Sequence, residues 1–288
     1  MTRHFLTASI AALALAACTP PEGAPAAGQD GTDAAVETSS ASLPASLGNP
    51  AFEEITEDYE IRAVVDSRIV EFDPQLADNL FRAAQAELDG LKAQAIHDSQ
   101  AAKDEAAASG GEVWFHQYAM EYRFETTALE GDVISILQNV YVYTGGAHPN
   151  YALTGFVHQR GTAYPLTIDA IVADPAAFGA ALKSRLTDEK MERAYGEASR
   201  SEIAADVDEL LGDDTRAGTV SGANFTLEPS TEPGLFGGIA VLFSPYDVGP
   251  YAEGSYVITI PASELEGRLT PDWATRFGGE PVPRGDGE

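Results

Sequence analysis

The sequence predicts an α+β fold: an antiparallel sheet with helices packed on it, one compact globule with two closely packed halves meeting near Gly145. Three observations predict it. Period-two runs of apolar residues dominate the chain. Helical-period runs are grouped rather than alternating with the strands, which does not suit a doubly wound parallel sheet. Helix starts are marked locally, by Asp73-Pro74, Asp174-Pro175 and Ser199-x-x-Glu202.

In chain order, residues 59–72 read as β-rich. Tyr59, Ile61, Ala63 and Val65 alternate with Glu60, Arg62, Val64 and Asp66. Asp73 caps a helix with Pro74 in its first turn. Leu76, Leu80, Ala84, Leu88, Leu91 and Ala95 recur at helical spacing, and Gly110-Gly111 ends the Ala-rich tail. The next strand places Tyr118, Met120, Tyr122 and Phe124 on one face. Gln117, Glu121, Arg123 and Glu125 fall on the other, the pattern of a half-exposed strand. Glu130-Gly131-Asp132 turns the chain into a second strand over 133–143, so the pair reads as a hairpin. Residues 151–158 form another strand, with a turn at Arg160-Gly161. Asp174-Pro175 opens a helix carrying Phe178, Leu182 and Leu186. Ser199 and Glu202 open the next, through Ile203, Val207 and Leu210 to Gly212. Strands follow at 225–227, 235–243 and 255–260, then a short helix at Pro261-Ala262-Ser263. The folded domain spans 51–273, and 274–288 reads as a flexible Gly/Pro-rich tail.

The 288 residues hold 17 Lys+Arg against 45 Asp+Glu, a formal charge of −28. No basic footprint for phosphate is visible, so nucleic acid is excluded as a partner. Arg3 and His4 precede an apolar run over 5–17, shorter than the ~20 residues a bilayer span requires. It reads as a signal peptide. Leu15-Ala16-Ala17-Cys18 looks like a bacterial lipobox, and Cys18 is the one cysteine. The expectation is a lipidated Cys18, with acyl chains as the sole hold on a membrane. Thr19 rather than Asp follows it, which places the protein at the outer membrane facing the periplasm in a Gram-negative cell. Residues 19–50 are Ala, Pro, Gly, Ser and Thr with Glu22, Asp30, Asp33 and Glu37 and no basic residue: a disordered tether. Loss of Arg3 with the leader takes the charge from −28 to −29.

Catalytic motifs do not emerge. There is no G-x-S-x-G elbow, no H-E-x-x-H helix, no Walker loop and no G-x-G-x-x-G. No catalytic residue, metal or cofactor is assigned. His97 reads as solvated. His116 shares its phase with Trp114 and Tyr118 and reads as a core imidazole. His148 and His158 alone do not make a zinc site. Asp206-x-Asp208 with Asp213-Asp214 lacks the glycine of a calcium loop and reads as a charged helix face.

Two segments stand apart. In residues 143–150, Tyr143-Thr144-Gly145-Gly146-Ala147-His148-Pro149-Asn150, two glycines at a strand end imply unusual backbone angles or close approach of another chain. In residues 243–254, Pro and Gly fix a long turn bearing Tyr246 and Tyr251, which either pack or point outward as anchors. The candidate binding residues are Tyr143, Gly145, Gly146, His148, Tyr246 and Tyr251.

Together, Y-T-G-G-A-H at 143–148, S-P-Y-D-x-G-x-Y-A-x-G at 244–254 and the strand over 256–261 resemble the RsiV-type ectodomain family. That family comprises a lysozyme-binding anti-sigma factor ectodomain and related lipoproteins of unknown function. Similar domains occur in a secreted mycobacterial immunogenic protein and beside some cell-wall polysaccharide deacetylases. The resemblance covers roughly residues 59–269. It implies an α+β receptor domain without catalytic residues, whose partner is a basic protein such as lysozyme, or peptidoglycan. A lipobox stands where the anti-sigma factor has a transmembrane helix, so no sigma-factor role is implied. Pro149 stands where the family commonly has another Gly. The alternatives are a cell-envelope hydrolase or esterase using His148, and a structural envelope protein.

Overall fold

Residues 51–193, 198–212 and 224–282 are described by a computed structural model. Cys18, the leader and the tether lie outside the described residues, as do Asp213 and Asp214. Among the described residues, eight strands form two sheets. The first has the order β1 (Phe52–Ile55), β2 (Tyr59–Val65), β3 (Tyr118–Glu130), β4 (Val133–Tyr143), β5 (Asn150–Gln159). The second has the order β6 (Phe225–Pro229), β7 (Phe236–Phe243), β8 (Tyr256–Pro261). The fold is α+β.

Local chemistry explains most elements. Helix α1 (Ser67–Phe72) is capped by the Asp66 side chain, which accepts from Arg68 N, so the expected β-rich run stops at Val65. Helix α2 (Pro74–Ser109) starts where Asp73 accepts from Gln75 N and Leu76 N. It ends at Gly110, whose φ of 68° only glycine adopts without strain. A one-turn helix α3 (Ile168–Ile171) precedes α4 (Pro175–Arg193), and α5 (Arg200–Leu211) opens on the full Ser199/Glu202 capping box. Helix α6 (Ala262–Leu265) follows β8 directly.

β3 and β4 pair antiparallel, Glu125 opposite Leu137 and Ala119 opposite Tyr143. The sheet is not wholly antiparallel: β2 and β3 run parallel, Ile61 opposite Met120, with α2 as the crossover. α2 covers one face, burying Leu80, Leu88 and Ala95 with Ile61, Phe124, Ile134 and Ile136. On the opposite face β6 crosses β3–β5, joining Val133 and Val157 to Phe178, Leu182, Phe225, Leu227 and Ile258 in a second core. The position near Gly145 where two halves were expected to meet lies inside the first sheet, between paired strands β4 and β5.

Three expectations are corrected. Glu121 is buried, not on an exposed face, because it lies between Arg123 (2.7 Å) and Arg62 (3.7 Å). His116 is exposed. β3 begins only at Tyr118, so its alternation does not extend back to His116. The start of the expected tail is fixed: Gly278 N donates to Phe236 O and Val282 N to Pro229 O, which adds a bridge beside β6 and β7.

Candidate functional site

The six candidate residues come together at one end of the first sheet. β4 delivers Tyr143, buried with Ala119 and Tyr141. Gly145 then takes φ 82°, and a Cβ there would meet His116 Cβ at 3.4 Å, an ordinary contact. The left-handed backbone, not close approach, is what favours glycine here. Gly146 and His148 are exposed beyond it.

The second segment reaches this loop from about a hundred residues away. Tyr251, in a 3-10 turn (Tyr251–Glu253), donates its Oη to Pro149 O at 2.6 Å. The His148 ring stacks on the Tyr251 ring at 3.9 Å and 22°. His148 Nδ1 lies 3.0 Å from Pro149 O, an acceptor, so this nitrogen carries the proton. Tyr246 stands 5.6 Å from Tyr251, centroid to centroid, and is 62% exposed. It is also the one non-glycine described residue with positive φ, 76°. A bulky residue in that region carries local strain.

Clamps hold the loop. Ser244 Oγ accepts from Leu153 N, and Asp247 Oδ2 accepts from Ser244 N. Burial pushes the Asp247 carboxyl above its ordinary range. From α4, Lys190 donates to Val248 O and Glu253 Oε2, and Arg193 donates to Ser255 O. Burial pushes the Glu253 carboxyl up, but hydrogen bonds from Lys190 and Tyr256 outweigh it and hold it low. The rings are therefore pre-positioned, which reduces the ordering cost of binding.

Sequence reading missed the neighbours. Tyr151 packs edge-on to Tyr141 at 5.3 Å and is 39% exposed. Burial, then the charges of Tyr151 and Tyr143, push Tyr141 up to about 12. Glu121 lies opposite Tyr141 in the β3–β4 register and shares its side of the sheet. Its Oε2 makes no hydrogen bond among the described residues. Trp114 stands 81% exposed, and nearby His116 abuts Gly145. Alternation along β4 puts Tyr141 and Tyr143 on one face, but only the strand pairing adds Tyr151.

The other candidates stay apart. His148 precedes β5 and His158 lies near its far end, roughly 30 Å away at strand rise. Asp208 pairs with Lys183 at 3.0 Å, as a charged helix face does. Among the described residues, no three His, Cys, Asp or Glu side chains converge as metal ligands. A cavity of about 500 Å³ lies between α4 and β8 and is lined by none of the six. The arrangement at the six residues offers flat ring faces, the exposed Tyr246 ring with its hydroxyl, and the second ring nitrogen of His148, whose Nδ1 is engaged by Pro149 O. That chemistry suits recognition.

Two family models match in succession. Residues 37–151 match the model described as Deacetylase PdaC. Residues 187–263 match the protein of unknown function DUF3298. No curated protein matches the chain significantly. A solved DUF3298 family member from Bacteroides fragilis is 19% identical, over 74% of this chain and 85% of its own, with a TM-score of 0.46. One from Pseudomonas aeruginosa is 17% identical, over 77% and 88%, with a TM-score of 0.44. The chain is thus similar to PdaC and DUF3298 domains in two successive segments, and these hold all six candidate binding residues.

Proposed function

We infer that the chain is a non-enzymatic, extracytoplasmic lipoprotein of the RsiV type, lipidated on Cys18. It binds a basic protein such as lysozyme through the His148–Tyr251–Tyr246 cluster. One observation carries the reading: two loops distant in sequence are locked together to present exposed rings, that of Tyr246 on a backbone with positive φ. Tyrosine anchors on a rigid frame are what interface hot spots use. The formal charge of −28 steers a basic partner and raises its on-rate at low salt. Charge alone does not select a partner, because screened attraction falls off within ~8 Å at physiological salt.

Calorimetry with lysozyme, beside another protein of similar basic charge, tests this. The expected result is selective binding that survives moderate salt and weakens ~10-fold or more in Tyr246→Ala. Equal binding of both proteins, abolished by salt, would reduce the idea to charge attraction. No binding would favour a cell-wall component or a structural role. Mass spectrometry of the mature N-terminus tests the anchor; an unmodified chain retaining Met1 refutes it.

The description of the first matched model favours a second reading, hydrolysis at His148. His148 Nδ1 is engaged by a backbone carbonyl rather than a carboxylate. Acetate release from an acetylated glycan, lost in His148→Ala, would replace binding by hydrolysis.

A further inference from the structure

A second surface lies on the other sheet, independent of the aromatic cluster. Among the described residues, β8 is an edge strand. Leu242 N donates to Asn224 O at 2.8 Å, so Leu242 and Ala240 face β6. Val241 and Ile239 between them turn their polar groups to β8, where Ile258 and Ile260 are their partners. Alternation then leaves the N–H and C=O of Val257 and Thr259 on the open side. Natural edges are blunted by lysine, proline, a bulge or a covering element. Between Tyr256 and Ile260 β8 carries no lysine, proline or bulge, and Val257 is exposed; among the described residues no strand pairs with its outer side, and α4 stands beside it across a groove.

The edge borders the cavity of about 500 Å³, whose other wall is one face of α4 from Ala181 to Glu192. That face is ~16 Å long at helical rise, the span of about five extended residues. Asp188, Glu189, Glu192 and Glu264 line it against Arg185 alone. Arg200 and Arg193 pair with Asp188 and Glu189 from outside the lining, which leaves the groove negative by one charge.

We propose that β8 accepts an extended, basic segment of a partner protein as a fourth strand, with its alternate side chains directed at the α4 carboxylates. Main-chain pairing supplies affinity and alternate pockets supply selectivity in this mode. Charge selects the occupant. The chain's own residues 19–50 carry four carboxylates and no basic residue, and a second copy brings another −28. Both are repelled; a segment with Lys or Arg at every second position is attracted.

The probe is a short labelled peptide with Lys at alternate positions and Val or Thr between, titrated against the full-length chain by fluorescence anisotropy. Controls are the same composition with contiguous lysines, and the alternating peptide N-methylated at every second amide. Saturable binding is expected, weakened about tenfold or more by N-methylation, because the methyl groups remove main-chain donors that pair with the open side of Val257 and Thr259. Glu192→Lys, at an exposed position, weakens it several-fold. Val257→Pro removes an outward N–H and abolishes it; circular dichroism shows whether that variant is folded, and the N-methylated peptide gives the same test without touching the protein. Equal binding of the three peptides, or none, overturns the proposal. Self-association in sedimentation that Val257→Pro abolishes would give the edge to a second copy and overturn it also.

Discussion

Gly155 is where the two sheets touch backbone to backbone, and Gly155→Ala is the sharpest test of the architecture. A Cβ there would lie 1.9 Å from Phe225 O, 2.4 Å from its carbonyl carbon and 3.0 Å from its N. Non-bonded carbons rest about 3.5–4.0 Å apart, so β5 and β6 must separate by roughly 1 Å or more. No flexible side chain can yield instead. The separation strains two bonds of 2.6 Å that join the strands through Asn224, one from Gly155 N and one to Leu153 O. Overpacking costs about 1–3 kcal/mol and each lost bond about 1 kcal/mol. The expected loss is about 3–5 kcal/mol, a large part of the ~5–15 kcal/mol that holds a domain folded. Urea unfolding should show a lower midpoint at similar slope. Gly131→Ala is the control: its φ is 58° with nothing within 4 Å, so it carries only a backbone penalty of about 1–2 kcal/mol. If Gly155→Ala costs no more than the control, the sheet contact is wrong. The proposed partner binding should weaken too, since β5 also carries the Leu153 N bond to Ser244 Oγ that holds the 244–254 loop.

Three further outcomes follow from the packing. Leu88→Ala, at a fully buried position between α2 and the sheet, should lose about 2–5 kcal/mol in the same unfolding assay. Tyr246→Gly should raise stability by about 1 kcal/mol by releasing the positive φ while weakening partner binding, a split that a purely structural tyrosine would not show. Burial holds Tyr118, Tyr122 and Tyr141 protonated up to about 12, with Asp98 adding to the shift at Tyr118. A raised pKa stabilises the fold below the ordinary value of 10.0, and that stability is lost as pH climbs through about 12. Absorbance at alkaline pH should therefore show these tyrosines ionising together with unfolding; ionisation near 10 in a folded chain would contradict their burial.

The candidate site was partly legible because its two loops carry unusual residues. Gly145-Gly146 and the Pro/Gly turn around Tyr246 are local signals of backbone that cannot be ordinary strand. Their neighbours gave no such signal. Trp114 reads in phase with Tyr118, and nothing in its surroundings says that β3 starts after it. Glu121 alternates as a surface residue would, yet two arginines neutralise it in a nearly dry position.

By itself the sequence determined the α+β class and most element starts. Caps, turns and periodicity act within a few residues, so Asp73-Pro74, Ser199/Glu202 and Glu130-Gly131-Asp132 suffice to place them. Only the tertiary structure decided that β2 lies parallel to β3, that Gly155 meets Phe225, and that the His148 ring stacks on Tyr251. Alternation records which face of a strand is buried. It does not record which strand or loop buries it, because that choice is settled by the packing of segments tens to a hundred residues apart.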